Sequence, residues 1–222
     1  MVKVISVFRR KEGMSVDEFQ SYWRNQHAEI VCRMPGIRRY VQSHTLISGY
    51  RNRTPACDGV AELTFDNSDA LRALADSASL NDTRADHAKF MDLSSYKEIV
   101  TEDAVIKHGE VPLDGVKNIE LVVKKATMEP EYFHRYWIDV HGPLAASIGQ
   151  IKRYVQSHTR MSAYASGGVP VLDGVALTWF SDTDSMRAAA VGEAYARTRA
   201  DEDNFVSAPL DFVITKEHVV VS

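Results

Sequence analysis

The sequence has only two cysteines among its 222 residues, Cys32 and Cys57. Two cysteines in no metal-ligand spacing exclude a disulfide framework and a cysteine-rich zinc site, and they fit the reducing cytoplasm, where we expect the protein to lie. No apolar run approaches the roughly 20 residues that a helix needs to cross a bilayer, so membrane insertion is not expected. The formal net charge of −4 and the pI of about 6.1 argue against nucleic acid as a partner.

What the sequence does contain is an internal repeat. The seven residues Arg39–Thr45 recur letter for letter as Arg153–Thr159, 114 residues later. A period of this length is the size of a domain, so it predicts a doubled domain with a pseudo-twofold axis rather than a solenoid. Three further motifs occur twice: Phe19-x-x-Tyr22-Trp23-x-x-x-His27 with Phe133-x-x-Tyr136-Trp137-x-x-x-His141, Asp58–Ala61 with Asp173–Ala176, and Thr83–Asp86 with Thr198–Asp201.

Each repeat has the pattern of a small α+β unit. In the first, Ser15 and Glu18 form a capping box that predicts the start of a helix, and Thr127 is the corresponding N-cap candidate in the second. The predicted order in both is βαββαβ, which is ferredoxin-like. The predicted elements of the first repeat are strands at 3–8, 37–47, 59–65 and 96–106, a helix after Ser15, and a helical stretch at 68–91.

The exposed face of such a sheet would be too apolar to be left in water. The predicted fold is therefore α+β, with two ferredoxin-like βαββαβ repeats whose antiparallel sheets pack into one pseudo-twofold α+β barrel. Repeat 1 is expected at residues 1–109, a linker at 110–116 and repeat 2 at 117–222.

Strand alternation places Tyr40, Gln42 and His44 on one face, and Tyr154, Gln156 and His158 on the matching face of repeat 2. Because Ile37 and Val41 suit the helix-covered side, we expect the Tyr-Gln-His rows to face the interior between the sheets. Buried polar groups need partners or a ligand, so these rows indicate a functional cavity. The alternative is a hydrogen-bonded core network that holds the sheets in register.

A histidine ends the first helix of each repeat: His27 lies one turn after Trp23, and His141 lies one turn after Trp137. Each lies 13 residues before the tyrosine of its strand, and the chain turns between them, so imidazole and phenol could converge. Such a pair can carry out general acid–base catalysis. The alternative is that each histidine caps its helix or packs on its tryptophan.

Glu62 and Glu120 are carboxylates that the other repeat does not match, since Leu177 and Ser6 take their places. A carboxylate directed into an apolar cavity would have a raised pKa and could act as a base. An exposed glutamate at the sheet edge is the alternative. The charges of the Thr-Arg-Ala-Asp motifs, at Arg84, Asp86, Arg199 and Asp201, are interpreted as helix-surface charges or caps.

Taken together, Tyr-Trp-x-x-x-His, Tyr-x-x-x-His and Asp-Gly-x-Ala resemble the EthD family of the dimeric α+β barrel superfamily, over nearly all of both repeats. The resemblance places the helix-end histidine of the family at His27 and His141. It places the strand tyrosine and histidine at Tyr40 and His44, and at Tyr154 and His158. Repeat 2 keeps the family's His-x-Pro as His141-Gly-Pro143, whereas repeat 1 has His27-Ala-Glu29, so the second pocket fits the family pattern better.

The resemblance implies a cofactor-independent acid–base enzyme: an isomerase, dehydratase, cyclase or lyase. Its substrate would be a small apolar carbonyl, lactone or aromatic, polyketide-like compound, and no metal is expected. A histidine would move the proton and a tyrosine would bind the developing oxyanion. The catalytic candidates are His141, Tyr154, His158, His27, Tyr40 and His44, and the substrate-binding candidates are Trp23, Gln42, Trp137, Gln156, Glu62 and Glu120.

Two other functions stay open at this point. An inward histidine could ligate haem or serve an oxygen-using barrel enzyme. Alternatively, the chain could be a non-catalytic binding or accessory protein of a catabolic pathway. The partners expected are a small-molecule substrate and, for assembly, a second copy of the tandem chain in a homodimer.

Overall fold

The computed structural model describes residues 1–75 and 77–222. These residues form two compact units, one of residues 1–100 with 217–222 and the other of residues 101–216. Among the described residues, no helix has the length and apolar character that a bilayer crossing requires. Cys32 and Cys57 are both free thiols.

The first unit follows the predicted order of elements. Its first helix begins at the capping box, in which the Ser15 side chain accepts from the Glu18 backbone and the Glu18 side chain accepts from the Ser15 backbone. Its elements are β1 (Val2–Arg10), α1 (Val16–Tyr22), a π-helical turn (Trp23–His27), α2 (Ala28–Val31), β2 (Ile37–Thr45), β3 (Gly59–Phe65), α3 (Ser68–Arg72), α4 (Ala78–Phe90) and β4 (Met91–Lys107), which continues into the second unit.

The second unit repeats this order. Its first helix begins at N-cap Glu129 with Pro130 in the first turn, so the predicted Thr127 cap is wrong; Pro130 supplies the fixed φ of a helix start and needs no N–H donor there. Its elements are β5 (Val116–Val122), α5 (Pro130–Tyr136), a π-helical turn (Trp137–His141), α6 (Gly142–Ala146), β6 (Arg153–Thr159), β7 (Gly174–Phe180), α7 (Thr183–Ala190), α8 (Glu193–Phe205) and β8 (Asp211–Val221).

Strand pairing is antiparallel throughout. In the first unit β3 lies between β1 and β2, so that Ala61 is opposite Ser6 on one side and Gln42 on the other. In the second unit β7 lies between β5 and β6, so that Ala176 is opposite Glu120 and Gln156. In the second unit β8 pairs with the other edge of β5, so that Lys117 is opposite Thr215. An antiparallel sheet with helices in each unit confirms the predicted α+β fold class.

Aromatic side chains fill the space between sheet and helices in each unit. In the first, the ring of Phe8 packs edge-on against Trp23 at 4.9 Å, and Phe19 packs against Phe90 at 5.9 Å. The helical stretch predicted at 68–91 is two helices, α3 and α4, because the chain turns after Arg72 and α4 has an N-cap of its own, Ser77. Phe90 ends α4 and completes this aromatic layer.

The Tyr-Gln-His row of each repeat faces the helices, and the predicted orientation toward the interior between the sheets is wrong. On β2, Gln42 Nε2 donates to the Trp23 carbonyl at 2.9 Å, and the His44 ring stacks on the Trp23 ring at 4.3 Å. Val41 and Ser43 lie on the opposite face. The helix layer can accommodate these polar residues because the π-helical turn presents a backbone carbonyl that accepts from the strand side chain.

Candidate functional site

The π-helical turns lie where the sequence repeats Trp-x-x-x-His. In the first unit the Ala28 N–H donates to the Trp23 carbonyl, an i to i+5 bond, and the same carbonyl accepts from Gln42 Nε2. A π turn widens the helix by one residue and is frequent at functional sites. Here it brings two buried side chains, Trp23 and His27, onto the face that meets the sheet.

A cavity of about 260 Å³ lies between the sheet and the helices of the first unit. Most of its wall is apolar, but His27 and Tyr40 also line it, and Arg84 and Glu98 are exposed residues of the same lining. An apolar cavity with a few convergent polar groups is typical of a small-molecule site. The apolar lining includes Val4, Phe8, Trp23, Met34, Leu63, Phe65, Leu74 and Met91.

His27 is held by a buried carboxylate. Its Nδ1 lies 2.8 Å from Asp86 Oδ2, and Asp86 Oδ1 accepts from the Tyr22 hydroxyl at 2.8 Å and from Lys89 Nζ at 3.0 Å. Burial alone would raise the pKa of Asp86, but the hydrogen bonds from His27, Lys89 and Tyr22 lower it, so the carboxylate is ionised. An ionised carboxylate only accepts, so the His27 proton sits on Nδ1.

The other ring nitrogen of His27, Nε2, can act as a base. Burial lowers the pKa of His27, although Asp86 opposes this shift, and the imidazole is therefore neutral at pH 7. Within residues 1–75 and 77–222, Nε2 has no hydrogen-bond partner. His27 thus brings a basic, unprotonated nitrogen to the cavity that it lines.

Tyr40 is oriented by a chain of hydrogen bonds from the strand. Because the Trp23 carbonyl can only accept, Gln42 must turn its NH₂ group toward it, and the same NH₂ donates to the Tyr40 hydroxyl at 2.7 Å. Gln42 Oε1 then faces His44 Nε2 at 2.9 Å, which fixes the His44 proton on Nε2. The Tyr40 oxygen accepts in this chain, so its own O–H proton remains available to the cavity.

Burial also fixes the protonation states of Tyr40 and His44. It raises the pKa of Tyr40, against the smaller effect of the Gln42 hydrogen bond, and the phenol therefore remains a donor. Burial, then His218 and Arg24, lower the pKa of His44 to about 3, so His44 stays neutral over the physiological range. His44 and Gln42 do not line the cavity; they hold Tyr40 from behind.

A second polar group lies on the strand side of the cavity. The Ser6 and Tyr96 oxygens are 3.0 Å apart, and Glu98 Oε2 accepts from both hydroxyls. Opposite, on α4, His87 packs 5.4 Å from the His27 ring and 5.4 Å from the Tyr96 ring. Burial first, and then the neighbouring His27, lower the pKa of His87 to about 4.

The second unit reproduces the two hydrogen-bonded pairs. His141 Nδ1 lies 3.0 Å from Asp201 Oδ2, and the Tyr154 hydroxyl accepts from Gln156 Nε2 at 3.0 Å and from Trp137 Nε1 at 3.2 Å. Burial lowers the pKa of His141 and raises that of Tyr154. His158, bound to Gln156 Oε1 at 3.0 Å, has its pKa lowered to about 3 by burial and then by His134.

The two sites differ at two polar positions, one on the first strand and one on the last helix of each unit, which we call the polar end of the site. Where the first unit has Ser6 and His87, the second has Glu120 and Glu202. Arg199 lies between them, with Nη1 at 2.8 Å from Glu202 and 3.7 Å from Glu120. Burial, and then Glu120, raise the pKa of Glu202 to about 8. Burial also raises the pKa of Glu120, against the opposing effect of Arg199.

The structure thus separates the predicted site residues. Trp23, His27 and Tyr40 share the cavity, whereas Glu62 lies on the other face of β3, where its carboxylate accepts from Lys3 Nζ at 3.0 Å. The interpretation of Asp86 and Asp201 as surface charges or caps is wrong: both are buried partners of the helix-end histidines. The signal that could have identified them is the recurrence of Thr-Arg-Ala-Asp in both repeats.

Within the described ranges there is no group of three or more His, Cys, Asp and Glu side chains arranged to hold a metal ion. The groups that the cavity does present are a neutral imidazole base and a phenol donor. Such a pair can remove a proton from carbon and stabilise the negative charge that then develops on a neighbouring oxygen.

The sequence profile of the EthD domain matches residues 11–94 and 125–209, one match in each repeat. These two matches cover more than half of the chain and include the helix-end histidines, the strand tyrosines and the buried aspartates. No curated protein matches the chain.

Several solved structures share the fold over nearly the whole chain. An anthrone oxidase-like protein matches with a TM-score of 0.67 at 11% identity and covers 100% of this chain and 94% of its own. A candidate monooxygenase from Lactobacillus acidophilus matches with a TM-score of 0.59 at 13% identity, covering 98% and 94%. A mutant chlorite dismutase from Candidatus Nitrospira defluvii matches with a TM-score of 0.53 at 8% identity, covering 97% and 91%. At these identities the likeness shows the fold alone.

Proposed function

Since the chain belongs to the EthD family, with two EthD domains in tandem, we propose that it is an acid–base enzyme that uses the cavity of the first unit. The substrate is a small, largely apolar carbonyl compound such as a lactone or an aromatic ketone. The reaction is a proton transfer at carbon that leads to isomerisation, dehydration, cyclisation or a lyase step, and it needs no cofactor.

One observation supports this proposal: His27 and Tyr40 line the same apolar cavity, and among the described residues His27 Nε2 has no hydrogen-bond partner and the Tyr40 hydroxyl only accepts. His27 Nε2 takes a proton from the carbon next to the substrate carbonyl, and the C–H electron pair forms an enolate. The Tyr40 hydroxyl donates to the enolate oxygen. His27, now protonated and stabilised by the Asp86 carboxylate, returns the proton to another atom of the substrate.

The second unit has the same histidine and tyrosine, but Glu120, Arg199 and Glu202 occupy the polar end of its site. We therefore assign the reaction to His27 and Tyr40, with His44 and Gln42 as positioning residues. His141, Tyr154 and His158 are the matched groups of the second site, and they provide the internal control for every test.

The test is proton exchange at carbon. Wild-type protein in D₂O is mixed with a panel of γ-butyrolactones, cyclic β-diketones and anthrone-type ketones, and loss of the C–H signal is followed by proton NMR. We expect catalysed exchange with at least one class. His27→Gln should slow it by about 10²–10⁴-fold, the usual contribution of a general base, while His141→Gln leaves it nearly unchanged. Equal rates in wild type and His27→Gln, or no exchange with any class, would overturn the proposal.

An oxygen-using reaction is the second candidate, because two of the structures that share the fold are named as a monooxygenase and as anthrone oxidase-like. Deprotonation by His27 would be its first step as well. The carbanion would then reduce O₂, so that a CH₂ group and one O₂ become a C=O group and one water. Oxygen consumption in an electrode, lost in His27→Gln, distinguishes this reaction from isomerisation.

A further inference from the structure

The cavity of the first unit has an exposed cation in its lining, Arg84, for which the described residues supply no hydrogen-bond or ion-pair partner. Arg84 lines the cavity from α4. An unpaired surface arginine is common and means little by itself, so the argument depends on the matching residue of the second unit.

Arg199 occupies the place of Arg84 in the repeated Thr-Arg-Ala-Asp motif, and there the guanidinium has two carboxyl groups as partners. Its Nη1 lies 2.8 Å from Glu202 and 3.7 Å from Glu120. An arginine at this position of the fold therefore reaches the polar end of the site and contacts carboxyl oxygens there. In the second unit the protein itself supplies these carboxyl groups.

In the first unit the two positions that supply the carboxylates are uncharged. Ser6 replaces Glu120, and a neutral His87 replaces Glu202. The acidic residue of the described lining is Glu98, on the strand side, and its Oε2 accepts from Tyr96 and Ser6. Among the lining residues that the structure describes, the α4 side of the cavity thus has a cation and no anion.

We propose that the ligand of this cavity is an apolar compound that carries a carboxylate, and that Arg84 binds this carboxylate where the second unit has Glu202 and Glu120. The inference rests on the proposed function and names its substrate class. His87 lies one helical turn from Arg84, and its ring is 5.4 Å from that of His27. The bound carboxylate would therefore lie within a few ångströms of the catalytic imidazole, with the apolar body of the ligand against Leu74 and Phe65.

The experiment compares 2-naphthoate with its neutral analogue 2-naphthamide, by isothermal titration calorimetry. Wild type should bind naphthoate about 10- to 100-fold more tightly, as expected for a charge-assisted hydrogen bond. Arg84→Gln should remove this preference and keep the affinity for naphthamide. The matched variant Arg199→Gln should retain the preference. Thermal unfolding checks that each variant is folded.

Equal affinities of wild type for the two probes, failure to bind naphthoate at millimolar concentration, or a preference that survives in Arg84→Gln would each overturn the inference. So would a loss of preference in Arg199→Gln equal to that in Arg84→Gln. The proposed function fails separately: His27→Gln should slow carbon exchange by about 10²–10⁴-fold and keep the preference for naphthoate, so unchanged exchange in His27→Gln contradicts the proposed function alone.

Discussion

Gly59 lies against the indole of Trp23 so closely that a Cβ on residue 59 would be 2.6 Å from the ring carbon Cζ3. Gly174 has the same relationship to Trp137, also at 2.6 Å. Both indoles are buried, at 1% exposure, so other side chains surround them. The glycine of the Asp-Gly-Val-Ala motif therefore makes room for the tryptophan whose carbonyl and ring hold the Tyr-Gln-His row.

Gly59→Ala should destabilise the protein by about 1–3 kcal/mol, because the added methyl group overpacks a rigid site. Urea denaturation followed by circular dichroism measures the change. Gly149→Ala is the control, since a Cβ there meets no atom within 4 Å. A loss of stability in the control as large as that in Gly59→Ala would mean that glycine flexibility, and not the space for Trp23, is the cause.

Asp86→Asn should reduce the rate of carbon exchange by about 10²–10⁴-fold, as removal of the orienting carboxylate does in other His–Asp pairs. The asparagine amide can donate to Nδ1, which shifts the proton of His27 to Nε2 and removes the base. Nitrogen-15 NMR of the imidazole reports the tautomer directly.

Asp201→Asn is the matched variant in the second unit, where it should alter the tautomer of His141 and leave exchange nearly intact. If Asp86→Asn retained both the wild-type tautomer and the wild-type rate, Asp86 would not be a positioning residue for His27.

Tyr40→Phe and Tyr154→Phe separate the structural role of the phenol from its catalytic role. Each removes the acceptor of a buried glutamine N–H, so each should cost about 1–2 kcal/mol of stability. Only Tyr40→Phe should slow exchange, by about 10²–10³-fold, because only its O–H binds the enolate oxygen. Equal activity of the two variants would show that Tyr40 only supports the fold.

Glu202→Gln should change how stability depends on pH. The pKa of Glu202 rises from 4.5 in the unfolded chain to about 8 in the folded protein. Folding is therefore favoured at pH below 4.5, and this stability is lost as pH rises toward 8, because the unfolded chain releases its proton first. Glutamine does not titrate, so the variant does not lose this stability as pH rises. Its stability relative to wild type should therefore be greater at pH 8.5 than at pH 5, by on the order of a few kcal/mol.

Urea unfolding at pH 5 and pH 8.5 provides the comparison. Glu193→Gln, in the same helix, is the control: its carboxylate is exposed and pairs with Arg197 across one turn, so its removal should change stability by less than about 1 kcal/mol at either pH. A Glu202→Gln variant with the same pH dependence as wild type would contradict the raised pKa.

The fold could be predicted from the sequence because the same local patterns of secondary structure occur in both repeats. The capping box at Ser15, the strand at 59–65 and the βαββαβ order all follow from local patterns and appear in the structure. The face of the Tyr-Gln-His row could not be read in this way, because strand alternation shows only which residues share a face. Whether that face meets helices depends on the π turn, which exposes the Trp23 carbonyl to Gln42.

The site could be predicted only in part, because some of its contacts join residues that are far apart in the sequence. His27 and Tyr40 were identified as a pair from their motif, and both line the cavity. Asp86 could not be identified in this way, because it lies 59 residues from His27 and follows two exposed residues of α4, Arg84 and Ala85. The recurrence of Thr-Arg-Ala-Asp in both repeats marks the position, but its burial is explained only by the histidine of another helix that lies opposite it.

The replacement of Ser6 by Glu120 also has a consequence for stoichiometry. An assembly of two identical chains must carry every substitution in both of its sites. Protein side chains therefore cannot occupy one pocket of such an assembly and leave the other open to ligand. Fusion of the two copies into one polypeptide removes this constraint. We therefore expect one ligand per chain, and a titration that saturates at one equivalent, in a protein that has two copies of the same histidine, tyrosine and aspartate.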